Sequence, residues 1–452
     1  MASPMFTYDE QMAQLVMEYC RWRLAVDPVP LDSTAPREHL AEALEGLIKT
    51  TPGDPAAIME VFDQQLASAV VSPDSPRFLA FIPAAPTKAA LLFDMVVSAS
   101  SMQGTSWLEA AGAVAAENQV LEFLARCAGL PEGAGGCFVS GGSLGNLSAL
   151  VTARDVGVQR RGLGERRVRF AVSEEAHSSV ARALSIIGAS ALLVPTDDHV
   201  MTGAALERAL DADPDSSDVV GVIATSGTTN AGIIDDLRGI GELARAQELW
   251  FHVDGAYGAA GLLSPKLRPR YDGIELVDSY IVDPHKWLFA PFDCCALVYR
   301  EPELARSVHT QHAAYLDITH EEALAEWNPA DYAMHLTRRA RGLPFWFSLA
   351  VYGTDAYAQA VQAAVDIAER AAELVRAADH VELVREPGLS ILLFRRVGWG
   401  TEDYHAWSRR ILAEQVALVT PTSWEGETVA RLAFLHPGTT DEIVAEVLDS
   451  MR

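Results

Sequence analysis

The sequence predicts an α/β fold: a mainly parallel sheet of seven strands covered on both faces, with a helical segment before it and a small α+β domain after it. Three observations carry that expectation. Seven short apolar runs lie between residues 130 and 300, at 137–140, 168–172, 191–194, 219–225, 250–253, 279–282 and 295–299. Stretches with helical periodicity at 144–158, 178–187, 204–211 and 237–247 separate most of them, and strands that alternate with helices pair in parallel through crossovers. Polar clusters follow the strands directly, at the carboxyl ends where such sheets collect ligands.

The flanking regions follow from their own patterns. Apolar residues at helical spacing run over 8–24 until Pro28 and Pro30 break them, and 37–48 and 55–70 repeat the pattern. Residues 1–75 therefore read as a helical segment apolar enough to pack on something, such as a second subunit. Residues 76–340 form the large α/β domain and 341–452 the small one. The stretch from Ser75 to Pro83 places Phe78 and Phe81 between prolines; it suits a pocket lining and a loop packed on the core equally. Residues 311–331 lack periodicity and read as a loop, and 345–378 as one or two helices. Strands at 381–384, 391–396, 417–420 and 429–434 and helices at 403–415 and 440–451 complete the small domain.

Composition narrows the function. The 452 residues are 49% hydrophobic, enough for one large domain with appendages, and carry a net charge of −26, which excludes nucleic acid and anionic membrane as partners. No apolar run reaches the roughly 18 residues a membrane span needs. The opening MASPMFTYDEQMAQ lacks a basic region followed by an apolar core, so no signal peptide is expected. Five cysteines, odd in number and without a Cys-x-x-Cys pair, argue against a zinc site or a disulfide framework and fit a reduced cytoplasm.

Four polar clusters and one lysine carry the chemistry. Ser140-Gly-Gly-Ser-Leu-Gly-Asn146, between a strand and a helix, suits a plain turn or a lone phosphate held on helix-start amides. Ser173-Glu-Glu-Ala-His177 puts a histidine where a strand hands over to a helix. Thr225-Ser-Gly-Thr-Thr-Asn230 supplies small hydroxyls at a strand end. Asp254 closes the apolar run Leu249-Trp-Phe-His-Val, where a carboxylate must be paired or useful. Lys286, one of four lysines among 35 basic residues, follows the apolar run 279–282 in Asp283-Pro-His-Lys-Trp287. Lysine alone among the cationic side chains can shed its proton and attack a carbonyl, and burial there is expected to lower its pKa. A nucleophilic lysine, a strand-end carboxylate, a phosphate turn and a histidine together describe pyridoxal phosphate chemistry.

In this order SGGSLGN, SEEAHSSV, TSGTTNAG, HVDGAY and DPHKW resemble the group II pyridoxal-phosphate decarboxylases, which include the aromatic-amino-acid, glutamate and diaminobutyrate decarboxylases. The similarity runs from about residue 75 to 300 and weakens toward the C-terminus. It implies a fold of the aspartate-aminotransferase type, a homodimer with sites at its interface, a pyridoxal phosphate cofactor and an amino-acid substrate. By the same resemblance Lys286 is the imine lysine, Asp254 the ring-nitrogen partner and His177 the imidazole stacked on the ring. Gly142 and Ser143 match phosphate-binding positions, Thr225 lies near His177, Ala256 packs on the ring, and His285 precedes the lysine. Asp283 departs from the aromatic enzymes, which often carry Asn there against the phosphate; a carboxylate is repulsive unless protonated or bridged by a donor.

The expected reaction is α-decarboxylation, with a same-fold aminotransferase, an aldehyde synthase and a catalytically silent cofactor binder as the alternatives. Phe81, Ile82, Thr105 and Trp107 fall at positions resembling the side-chain pocket of the aromatic enzymes. No base lies within 78–85, although Arg77 and Lys88 flank it, so an uncharged aromatic or branched aliphatic substrate is expected over glutamate or diaminobutyrate. Tyr315, in a Tyr-Leu pair resembling one in those enzymes, is the expected proton donor; Tyr332 is expected to pack.

Overall fold

The computed structural model describes residues 4–82, 85–164, 167–313, 316 and 326–452. Its large sheet holds β1 (Gly135–Val139), β2 (Arg169–Ser173), β3 (Ser190–Val194), β4 (Val219–Thr225), β5 (Trp250–Asp254), β6 (Ser279–Val282) and β7 (Cys295–Tyr299) in the order β1-β7-β6-β5-β4-β2-β3. β7 runs antiparallel to both neighbours, and β6, β5, β4, β2 and β3 are parallel. The central strands read as unbroken apolar runs because both faces are covered. On β7, Cys295, Leu297 and Tyr299 enter one hydrophobic cluster while Ala296 and Val298 enter the other.

The small sheet holds β8 (Val381–Gly388), β9 (Ile391–Arg396), β10 (Thr422–Trp424) and β11 (Glu427–Ala433), all antiparallel, in the order β10-β11-β9-β8. The expected strand at 417–420 does not form. Leu418 instead makes one isolated parallel bridge with Phe78, bonded through Leu79 N–H to Leu418 O and Leu418 N–H to Arg77 O. The 75–82 stretch thus packs between hydrophobic cores: Phe78, Leu79 and Ala80 are buried and Phe81 is 61% exposed. Helix Thr354–Ala377, separated from Leu343–Tyr352 by Gly353 at φ 77°, joins both cores. Its Tyr357, Val361 and Val365 enter the large-domain cluster, while Ile367, Ala371 and Val375 enter the small-domain one.

Three helices, Lys88–Ala99, Trp107–Cys127 and Pro302–His309, have no counterpart among the expected elements. The N-terminal helices Glu10–Ala25, Arg37–Leu44 and Pro55–Val61 were expected, but none of their residues is buried. Met12, Val16, Met17, Trp22, Leu44 and Ile58 all lie exposed. Among the described residues no helix is long and apolar enough to cross a membrane, and no group of three or more His, Cys, Asp or Glu is placed to hold a metal.

Candidate active site

Strand register brings the chemistry together. Thr225 at the end of β4 lies beside Asp254 at the end of β5, which lies beside Ile281 of β6. The turn after β6 carries Asp283, His285 and Lys286, and the turn after β2 carries His177, which caps helix Ser178–Ile186 by accepting Ser179 N–H at 3.2 Å. Helix Gly142–Arg161 starts one turn past β1 and sits hard against the sheet. A Cβ on Gly145 would lie 2.9 Å from Ile281 Cγ2 and 3.0 Å from Cys295 Sγ. These carboxyl ends enclose a cavity of about 220 Å³, lined by Gly142, Ser143, His177, Thr225, Asp254, Ala256, Asp283, His285 and Lys286 among others. All eight residues expected to contact the cofactor, and His285 with them, therefore share one cavity.

The lysine is not free. Its Nζ lies 3.0 Å from Asp283 Oδ2, a carboxylate 1% exposed. Burial alone would lower the Lys286 pKa, as the sequence reading expected. The opposing charge and hydrogen bond of Asp283, aided by the charge of Asp254, outweigh burial and raise it, which corrects that expectation. Burial would push Asp283 up in turn, but Lys286 and His285 beside it and hydrogen bonds from Cys295 and Lys286 hold it below the ordinary carboxylate range. The same Oδ2 accepts Gly142 N–H at 3.2 Å. The amide expected to face a phosphate is therefore given to Asp283, and Ser143 is left as the helix-start residue matched to that role. His285 is lowered chiefly by burial; its Nδ1 accepts Cys294 N–H at 2.9 Å and its Nε2 lies 3.6 Å from Asp283 Oδ2.

Asp254 is the second anchor. Its Oδ2 accepts Asn146 Nδ2–H at 2.8 Å and its Oδ1 accepts Ala256 N–H at 3.2 Å. Thr225 is held by its own N–H, which donates to Asp235 Oδ2 at 2.7 Å, while its Oγ1 is buried with no partner. An orphaned hydroxyl facing a cavity that also holds an amine and a carboxylate asks for a polar ligand. Pyridoxal phosphate fits: its aldehyde matches an amine, its ring nitrogen a carboxylate, and its polar substituents the Thr225 and Ser143 hydroxyls.

Other predicted residues lie elsewhere. Phe81, Ile82, Thr105 and Trp107 do not line this cavity. The Phe81 ring lies tilted against Phe78 with centroids 6.3 Å apart, Thr105 O accepts Ala330 N–H at 3.2 Å, and Trp107 N–H donates to Asn328 Oδ1 at 3.0 Å. Tyr315 lies outside the described residues. Tyr332 packs as expected, 1% exposed and stacked on Trp327 at 4.4 Å. Asn146 was not expected in the site, although it ends the first polar cluster. Glu175 was missed as well; it lines the cavity and bonds His199 Nδ1 at 2.7 Å. Arg431 was missed too: it is buried between domains and bonds Thr229 O at 3.0 Å and Phe81 O at 2.9 Å. A buried arginine in the apolar strand β11 was the available signal.

A lysine and an aspartate at neighbouring strand ends of this sheet, with a small antiparallel sheet after it, define a pyridoxal-phosphate enzyme of the aspartate-aminotransferase fold type. Residues 38–397 match the pyridoxal-dependent decarboxylase conserved domain, and the chain belongs to that family. It is 29% identical over 435 residues to an aromatic-L-amino-acid decarboxylase of Bacillus atrophaeus, covering 94% of this chain and 90% of that one. It is 30% identical over 430 residues to an L-2,4-diaminobutyrate decarboxylase of Rhizobium meliloti strain 1021, covering 91% and 84%. The fold matches that of Oryza sativa TDC, solved with PLP and tryptamine, with a TM-score of 0.91 at 24% identity over 100% of this chain and 99% of that one. The protein is a pyridoxal-phosphate-dependent amino-acid decarboxylase.

Proposed function

We propose that its substrate is an amino acid with an uncharged hydrophobic side chain, aromatic or branched aliphatic, released as the amine and carbon dioxide. The observation that carries this reading is the charge of the cavity wall: Glu175, Asp254 and Asp283 against Lys286 as its one lysine or arginine among the described lining residues. A substrate carboxylate side chain finds no second cation there. Glu175 would suit the side-chain ammonium of diaminobutyrate, but it is already bonded to His199.

The bound cofactor supplies an aldehyde that condenses with amines and a ring that accepts the electron pair left when carbon dioxide departs. The residues do the rest. Lys286 would hold the aldehyde carbon; its ion pair with Asp283 keeps Nζ charged, so Nζ must shed its proton to solvent before it can act as a nucleophile. In the same cavity Asp254 would face the ring nitrogen, His177 would cover the ring, Ala256 would pack against it, and Ser143 and Thr225 would bond its polar substituents. Tyr315 is assigned the return of a proton to Cα, as a neutral phenol can supply. Two chains assemble as a homodimer, in which Phe81, Ile82, Thr105 and Trp107 serve the partner's site; the uncovered apolar residues of the N-terminal helices favour this assembly.

Carbon dioxide release from a panel of amino acids tests the substrate. Turnover of phenylalanine, tryptophan, leucine or valine above glutamate and diaminobutyrate is expected; the reverse order refutes the reading. Sedimentation tests the dimer.

A further inference from the structure

Behind Asp254 runs a chain of buried polar groups that the chemistry above does not use. Asn146 Oδ1 lies 2.9 Å from His252 Nε2, His252 Nδ1 lies 2.8 Å from Ser279 Oγ, and Trp250 Nε1 lies 2.9 Å from the same Ser279 Oγ. Asn146, His252, Ser279 and Trp250 are each 2% exposed or less. A fourth bond joins the Asn146 amide to Ser179 Oγ at 3.2 Å, and that hydroxyl lies 2.9 Å from His177 Nδ1.

Donor and acceptor identities, followed outward from Asp254, set the directions of these bonds once the His252 ring is neutral. A carboxylate only accepts, so Asn146 turns Nδ2 toward Asp254 and Oδ1 toward His252. His252 Nε2 must then carry hydrogen. Burial pulls the His252 pKa down to about 4, so the ring is neutral and its Nδ1 accepts. Ser279 donates to that Nδ1 and accepts from Trp250 Nε1, which can only donate. The second Asn146 hydrogen goes to Ser179, which passes its own to His177 Nδ1 and leaves His177 Nε2–H for the cavity. One amide therefore sets both the ring-nitrogen partner and the ring-covering imidazole.

We infer that Asn146, positioned by His252, Ser279 and Trp250, is a positioning residue that fixes Asp254 as a ring-nitrogen acceptor with neutral donors. The chain adds no counter-charge, so the whole negative charge of Asp254 stays available to the ring. A lysine or arginine in place of Asn146 would satisfy the same oxygen and cancel that charge. The inference rests on the assignment of Asp254 to the ring nitrogen.

The test compares binding of pyridoxal phosphate with binding of its analogue carrying C–H in place of the ring nitrogen, titrated into the apoprotein by fluorescence. Wild type prefers the natural cofactor. Asn146→Leu should lose about tenfold of that preference, the scale of one hydrogen bond to a charged group, while its affinity for the analogue stays within about twofold. Equal weakening toward both ligands shows that Asn146 only supports the fold and overturns the inference. Asp254→Ala should abolish the preference; if it does not, the ring-nitrogen assignment fails, whatever Asn146 does. If Asn146→Leu does not fold by circular dichroism, the pair His252→Leu and His252→Gln decides. Gln keeps a donor for Asn146 Oδ1 and should restore the preference that Leu loses, whereas identical behaviour of the two overturns the inference.

Discussion

Thr225→Val separates the role of the site in folding from its role in holding the cofactor, because the two effects carry opposite signs. The Thr225 hydroxyl is buried without a partner among the protein's own groups, and a buried hydroxyl that nothing bonds costs about 1–3 kcal/mol. Valine keeps the shape and removes the unmet group. The apoprotein should therefore gain up to about 1 kcal/mol, since the methyl still faces a polar cavity. In a chain of this length that is a rise in Tm of about 1–2 °C. With the cofactor bound, the hydroxyl has a polar partner to lose. A hydrogen bond of about 1.5 kcal/mol to a charged acceptor then weakens cofactor affinity about tenfold. Scanning calorimetry of the apoprotein and equilibrium titration with pyridoxal phosphate read the two signs independently. Loss of more than about 1 kcal/mol in the apoprotein with unchanged cofactor affinity would mean that the hydroxyl bonds within the protein, and the reasoning fails.

Four further outcomes are expected. Lys286→Ala should fold yet lose the borohydride-fixed cofactor adduct; an adduct retained on Lys49, Lys88 or Lys266 refutes the assignment. Asp283→Asn removes the charge that raises Lys286 and leaves burial to lower it, so the alkaline rise in the rate of cofactor loading should move to lower pH; an unmoved profile refutes the pairing. Arg338→Met strands Glu117, whose two carboxylate oxygens each lie 2.7 Å from Arg338 Nη2, and should cost about 3–5 kcal/mol in denaturant unfolding. His199 is pulled down by burial but raised overall by hydrogen bonds to Glu175 and Glu425. Its stabilising contribution is thus complete below the unfolded value of about 6.5 and fades as pH rises through the folded value; His199→Gln should flatten Tm against pH across that window.

The large sheet was legible because burial on both faces makes each strand a continuous apolar run with polar residues at its end. The same geometry explains why the five motifs converged: strand ends in register place residues far apart in sequence side by side. Helix Trp107–Cys127 escaped notice because its many alanines give little contrast between faces, and Ala110 leaves helical geometry inside it. The 417–420 run misled because its apolar side chains fill the small-domain core without a ladder, whereas the polar β10 is a strand only because the turn at Glu425 and Gly426, both at positive φ, returns β11 to it. The Lys286 pKa was misjudged because the carboxylate that reverses it, Asp283, was read as facing a phosphate. Pocket assignments at Phe81, Ile82, Thr105 and Trp107 rested on resemblance alone, and within one chain nothing draws them to the cavity.

Arg431 bears on motion. Its guanidinium, rooted in the small sheet, is bonded to the carbonyls of Thr229 in the large domain and Phe81 in the interdomain loop. Helix Thr354–Ala377 is shared between the two cores. A hinge needs one boundary across which few bonds pass, and here a buried cation and a continuous helix both cross it. The small domain is therefore geared to the wall of the cavity: a displacement at β11 reaches Thr229, two residues from Gly227, whose φ of 106° and close approach to the Gly258 backbone leave that loop little room to yield. A hinge opening between the two cores would break both links, so any change in the shape of the cavity rim is expected to be small.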